Sequence, residues 1–251
     1  MKNAIIFTFS ILFFIGTVSA QTTPDAGSTN VNKAKSFISF SGGIASPMGK
    51  FASNKFEDSN SGYAKLGSHF ALEGAYFLCS HFGIGGSMNM SSFGVDALPI
   101  AAGYREAFDC DSARANSRPY HTVSFLIGPY FSLPVKKLTI DGRLLLGTTT
   151  TMSPDIYCTV INKYAGPTEG SVSTFVQTGD NKTAFGMQVG LGVRYTVCKH
   201  WMVRLASDYF YSKPNLSFQN IGRSNNVGHI VSTYNQPITG ITGVLGIGYE
   251  F

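Results

Sequence analysis

The chain has 251 residues and a formal charge of +5, with 13% charged and 13% aromatic side chains. The bases are few and do not cluster with aromatics, which excludes a nucleic-acid surface, and no apolar run reaches the roughly 18 residues of a transmembrane helix. The His, Cys and Asp residues fall in no metal-ligand spacing, so neither a metal nor a cofactor is expected.

Residues 1–20 carry Lys2, an apolar run from Ala4 to Ile15 and the small-residue sequence Val18-Ser19-Ala20, the pattern of a cleavable secretory signal. Residues 21–35 are rich in Thr, Asp, Asn, Ser and Gly and read as a flexible leader. A single all-β unit is predicted over 36–251.

Eight segments then alternate apolar with polar or small residues at period 2, the pattern of a strand with two unlike faces. The first, 36–46, is the weakest, with Ile38, Phe40 and Ile44 against Ser39 and Ser41. Segments 63–78 and 82–94 set Leu66, Phe70, Leu72 and Tyr76 against Lys65, Glu73 and Ala75, then Phe82, Ile84, Met88 and Met90 against Ser87, Asn89 and Ser91. In 120–133, Val123, Phe125, Ile127 and Phe131 oppose Thr122, Ser124, Gly128 and Ser132. In 138–152, Leu138, Ile140, Leu144 and Leu146 oppose Thr139, Asp141, Arg143, Thr149 and Thr151. The clearest is 183–197, where Phe185 to Val197 at every second position face away from Gly186, Gln188, Gly190, Gly192 and Arg194. Segment 201–212 places Trp201, Val203, Leu205 and Tyr209 opposite Arg204 and Asp208. The last, 241–251, places Leu245, Ile247, Tyr249 and Phe251 opposite Gly246, Gly248 and Glu250.

Connections of two kinds alternate along the chain. Short turns fall near 79–81, 134–137 and 198–200, and longer loops span 47–62, 95–119, 153–182 and 213–237. An up-and-down antiparallel barrel of eight strands in lipid has this asymmetry, with short periplasmic turns and long extracellular loops. Tyr76, Phe82, Phe131, Tyr195, Trp201, Tyr249 and Phe251 share the apolar faces and lie beside the short turns or the end of the chain. They are predicted to form an aromatic girdle at one membrane interface.

The terminal strand, ending Gly248-Tyr249-Glu250-Phe251, resembles the closing strand by which outer-membrane barrels are recognised by their assembly machinery. Over 36–251 the chain is similar in strand pattern to the small eight-stranded outer-membrane barrels, the OmpA barrel domain and OmpX among them, and to the PorT-like barrel proteins. The resemblance implies an integral protein of a Gram-negative outer membrane that meets the barrel-assembly machinery. Its expected environment is outer-membrane lipid, and it is expected to be a monomer.

Lys65, Glu73, Asp141, Arg143, Arg194, Arg204, Asp208 and Glu250 fall on the polar faces. An eight-stranded barrel is only wide enough for its own side chains, so these charges are expected to pair as a network filling the lumen, with a gated ion path as the alternative. Cys110 and Cys158 lie in neighbouring long loops and are placed to form a disulfide or to remain free, whereas Cys79 and Cys198 fall in turns on opposite walls. No His and Ser stand two apart on a strand as base and nucleophile; His121 and Ser124, three apart, face opposite ways. Catalysis is therefore not expected.

The functional expectation is a non-catalytic barrel acting through its loops, in surface interaction or envelope integrity. Lys50, Lys55, Arg105, Arg114, Arg118, Lys163, Lys182, Lys213 and Arg223 are candidates to meet lipopolysaccharide phosphates, or are solvated surface charge. The rivals are a narrow small-solute channel and a secreted lipocalin-like binder with its apolar residues turned inward.

Overall fold

The computed structural model describes residues 34–162, 171–222 and 230–251. The expected signal segment 1–20, the leader as far as residue 33, Lys163 and Arg223 lie outside the described residues.

Eight long strands form the barrel: β1 Phe37–Pro47, β2 Ala64–Phe77, β3 Phe82–Val95, β5 Tyr120–Val135, β6 Leu138–Met152, β9 Asn181–Thr196, β10 Trp201–Ser212 and β13 Ile238–Glu250. All pairings are antiparallel, and the circuit closes where β1 pairs with β13, from Phe37 opposite Glu250 to Pro47 opposite Gly240. Closure removes the unpaired strand edge that an open sheet would expose.

The period-2 pattern sets the orientation. Along β9, Phe185, Val189, Leu191, Val193 and Tyr195 are exposed while Gly186, Gln188, Gly190, Gly192 and Arg194 are buried. The other barrel strands largely repeat this, so the barrel is apolar outside and polar through the middle of its lumen. Glycines on the inner faces allow bulky ionic groups to fit. At Gly190, a Cβ would collide with the Asp208 carboxylate across the lumen wall.

One sequence expectation is extended here. The long connections are not structureless: they contain a helix, α1 Ala97–Ala107, and five further strands, β4 Ser112–Ser117, β7 Ile156–Asn162, β8 Ser171–Thr178, β11 Asn215–Gly222 and β12 Ile230–Asn235. These strands form a second sheet in the order β12-β11-β8-β7-β4, joining the second, third and fourth long loops. The outward apolar faces agree with the expected orientation and are the reverse of the lipocalin-like alternative, whose apolar residues would turn inward.

The opposite end carries only tight turns. One of them, between β5 and β6, consists of Lys136 and Lys137, with Lys136 at a φ of 58° in the left-handed region that Gly or Asn adopts more readily.

Candidate functional site

Strand register stacks the inward side chains in layers along the barrel axis. At the short-turn end, Phe37, Phe77, Tyr130 and Met202 form an apolar floor. Arg194 lies over the Phe37 ring at 4.3 Å and Arg204 at 5.4 Å, so the floor also attracts the cations above it.

The ionic layer follows. Arg194 contacts Asp141 at 2.6 Å and Glu250 at 3.2 Å. Arg143 contacts Asp208 at 2.6 Å and Glu73 at 3.3 Å, and Arg204 closes the chain by pairing with Glu73. All seven side chains are at most 2% exposed. An isolated ion here would lose several kcal/mol of hydration, so each charge is held beside at least one of opposite sign. Ser132 donates to Asp141, and Thr196 to Glu250 at 3.0 Å, using further carboxylate lone pairs.

Lys65 is not part of this layer. The β2–β3 register shifts between Ala64 and Gly67, and the irregularity turns Lys65 outward, where its ammonium pairs with Asp96 at 3.0 Å. The interior therefore sets the guanidiniums of Arg143, Arg194 and Arg204 against the carboxylates of Glu73, Asp141, Asp208 and Glu250. Lys35, half exposed at the mouth, reaches Glu250 at 3.8 Å.

Above the ions is a polar chamber of about 30 Å³, bordered by His69, Asn89, Ser91, Gln188, Asp208 and Ser212. Its volume suits roughly two ordered waters. Asn89 Nδ2 donates to Gln188 Oε1 at 2.7 Å, bridging the lumen. His69 Nδ1 and Ser91 Oγ are 2.8 Å apart. This is a His and Ser pair that sequence spacing could not show, because the two face each other across β2 and β3. Asp208, which could have oriented the imidazole, is instead engaged by Arg143.

The long-loop end of the lumen is closed by Phe51, Phe93, Tyr120 and Ile238, with Phe51 edge-on to Phe93 at 5.1 Å and to Tyr120 at 5.2 Å. The gated ion route expected as an alternative would have to pass this aromatic plug.

On the outer surface, Tyr76, Phe82, Phe131, Tyr195, Trp201, Tyr249 and Phe251 are all exposed, by 37% to 63%, around the short-turn end. Phe82 contacts Phe131 at 5.0 Å and Trp201 contacts Tyr249 at 5.9 Å across neighbouring strands. The four cysteines are free thiols. Cys110 and Cys158 share one buried cluster with Val160, but the disulfide is not formed: Ala115 is the residue opposite Cys158, and the Cys110 thiol is turned toward the Ser112 carbonyl at 3.6 Å.

No protein-family model matches the chain, and no curated protein matches it. Among solved structures it is similar to Ail, the attachment invasion locus protein of Yersinia pestis, at 14% identity over 87% of this chain and 100% of that one, with a TM-score of 0.42. It is also similar to the outer membrane protein OprG from Pseudomonas aeruginosa, at 12% identity over 88% and 98% of the two chains and a TM-score of 0.44. A major outer membrane protein from Thermus thermophilus gives 13% identity, 87% and 100% coverage and a TM-score of 0.44. What fixes the fold is the closed strand order itself: the chain is an eight-stranded up-and-down barrel.

Proposed function

We propose that this chain is an integral outer-membrane barrel, monomeric and without catalytic activity, whose ordered long-loop platform serves surface interaction or envelope integrity. The observation that carries this reading is the inverted polarity. Each aromatic side chain of the outer belt leaves about half of the roughly 150–250 Å² it could bury in contact with its surroundings, and the aliphatic ones are exposed to a similar fraction. Summed over eight strands, the belt is several times the roughly 300–600 Å² patch that a typical soluble monomer exposes. Water would not tolerate such a surface, whereas hydrocarbon would. Strands of 11 to 16 residues meet or exceed the roughly 9–11 needed to cross a bilayer at a tilt of about 45°.

Outer-membrane location is supported by that belt together with the secretory-signal pattern of residues 1–20 and the resemblance of the last strand to the closing strand of outer-membrane barrels. The long-loop platform then faces the exterior. Cell fractionation tests the reading: the protein should sediment with outer membranes, resist carbonate extraction and migrate faster before boiling than after it on a detergent gel. Recovery of the mature chain in the aqueous periplasmic fraction would refute it. A filled lumen also predicts that purified protein in a planar bilayer conducts no more than the bare membrane; stable stepwise conductance would favour the channel alternative.

Lipopolysaccharide is the proposed lipid partner of the platform. Lys50, Arg118 and Lys182 are already paired with Asp58, Asp155 and Asp180, so exposed Lys55, Arg105, Arg114 and Lys213 are the bases offered to its phosphates. Replacing those four with Gln should weaken lipopolysaccharide binding; unchanged affinity would remove the partner while leaving the membrane reading intact.

A further inference from the structure

The long-loop platform contains a pocket of about 250 Å³ on the far side of the lumen plug. Its walls come from separate elements: Phe56 and Tyr63 from the first long loop, Tyr104 from α1, Tyr120 from the start of β5, and Phe218 and Tyr234 from β11 and β12. Phe56 and Tyr104 meet edge to face at 5.4 Å, and Phe218 and Tyr234 lie tilted to one another at 6.1 Å. Gly103 makes the first pair feasible, since any Cβ there would collide with the Phe56 ring.

Polar groups are interleaved with these rings: Ser59, Ser61, Gln177, Gln236 and the Asp58 carboxylate. Asp58 is the charged member of the lining, and it is already paired with the Lys50 ammonium and accepts the Asn60 amide at 3.0 Å. Burial pushes the Tyr63 phenol up to about 12, so it remains a neutral donor, and it donates to the Lys55 carbonyl at 3.1 Å.

Each feature narrows the ligand. Among the described residues of the lining, an anion or cation would find no unpaired counter-charge. A purely apolar molecule would strip water from the Gln177 amide without replacing its hydrogen bonds. A sugar ring has both required surfaces, with C–H faces for aromatic rings and a rim of hydroxyls for amides, serines and phenols. The volume is a little under the roughly 300–1,000 Å³ typical of drug-sized ligands, which suits one residue of a longer glycan with the remainder in solvent.

We propose that this aromatic pocket is a binding site for a neutral saccharide presented at the cell surface. The proposal rests on the membrane reading above, because only that orientation opens the platform to external glycans. Saturation-transfer NMR on the full chain in nanodiscs tests it, with glucose, galactose, mannose and N-acetylglucosamine as probes, and glucose 6-phosphate and indole as charged and apolar comparators. At least one neutral sugar should receive saturation, with weaker transfer to the phosphorylated sugar. Tyr104→Ala and Tyr234→Ala should each reduce affinity about tenfold, the scale of a lost aromatic contact plus its burial. The milder Gln177→Ala should reduce it severalfold, and Tyr76→Ala on the outer belt should leave it unchanged. The boiling-dependent gel shift certifies that each variant is folded. No transfer to any neutral sugar, transfer to indole alone, or full affinity in all three folded pocket variants would overturn the assignment. Fractionation reports separately on the membrane reading, so failure of one is distinguishable from failure of the other.

Discussion

Arg194 on β9 holds Asp141 on the adjacent β6 at two points, Nε to Oδ2 at 2.6 Å and Nη2 to Oδ1 at 2.9 Å, with both side chains at most 1% exposed. Two-point contact between a guanidinium and a carboxylate is the stronger form of ion pair, and here it is sealed from water. Arg194→Met should leave Asp141 and Glu250 without their main partner and cost about 3–5 kcal/mol. Urea unfolding in detergent micelles measures this. The combined variant Arg194→Met, Asp141→Leu and Glu250→Gln should recover part of the loss, because it removes the stranded charges together with their partner. Equal stability of Arg194→Met and the parent would refute the network's role.

Leu191 is 67% exposed near the middle of β9 on the outer belt. Leu191→Arg should destabilise the barrel in lipid by about 2–4 kcal/mol, the range for a cation at the bilayer midplane, whereas Tyr76→Arg in the girdle should cost about 0–1 kcal/mol. Comparing the two by unfolding in lipid vesicles gives a depth scale. Identical small effects would mean that the belt faces water.

Gly190 and Gly243 form a matched pair. A Cβ at Gly190 would overlap the Asp208 carboxylate, while one at Gly243 meets nothing within 4 Å. Gly190→Ala should therefore destabilise by about 1–3 kcal/mol through overpacking, with Gly243→Ala close to neutral. Reversal of that order by thermal denaturation would contradict the close fit at Asp208.

Cys79 and Cys198 are exposed, and Cys110 and Cys158 are buried. Maleimide labelling of intact protein at neutral pH should modify the first two and spare the others. Burial, and secondarily the neighbouring Cys110, pushes the Cys158 thiol from its ordinary 9.0 up to about 11. The unfolded chain would ionise this thiol near 9 and the folded chain only near 11, so the folded state binds more protons between those values. Stability should thus fall as pH rises from 9 to 11, and Cys158→Ala should flatten that part of the profile. An unchanged slope in the variant would assign the alkaline loss to other groups.

The barrel was legible because alternation over ten or more residues is a strong local signal, and the eight segments read from it match the barrel strands to within a few residues. Lys65 shows where that logic fails. Two-residue periodicity assumes an unbroken ladder, and the shift between Ala64 and Gly67 displaces a single residue without altering the composition. The platform strands were missed for a different reason. β4 is Ser-Ala-Arg-Ala-Asn-Ser, with little apolar contrast between its faces, and it exists because β7 supplies the partner. β7 did carry a usable signal, with Cys158 and Val160 buried at alternate positions. The pairing of His69 with Ser91 depends on register across two strands, so spacing within one segment could not reveal it.

The second sheet has a mechanical implication. Its order, β12-β11-β8-β7-β4, ties together three loops that are remote in sequence, and Gln236 Nε2 reaches the Asn60 carbonyl of the remaining loop at 2.9 Å. Loops built this way cannot drift independently, because an insertion or deletion in one disturbs the ladder of the next. An antibody raised against the intact surface should accordingly read a composite epitope that synthetic peptides of the single loops fail to reproduce.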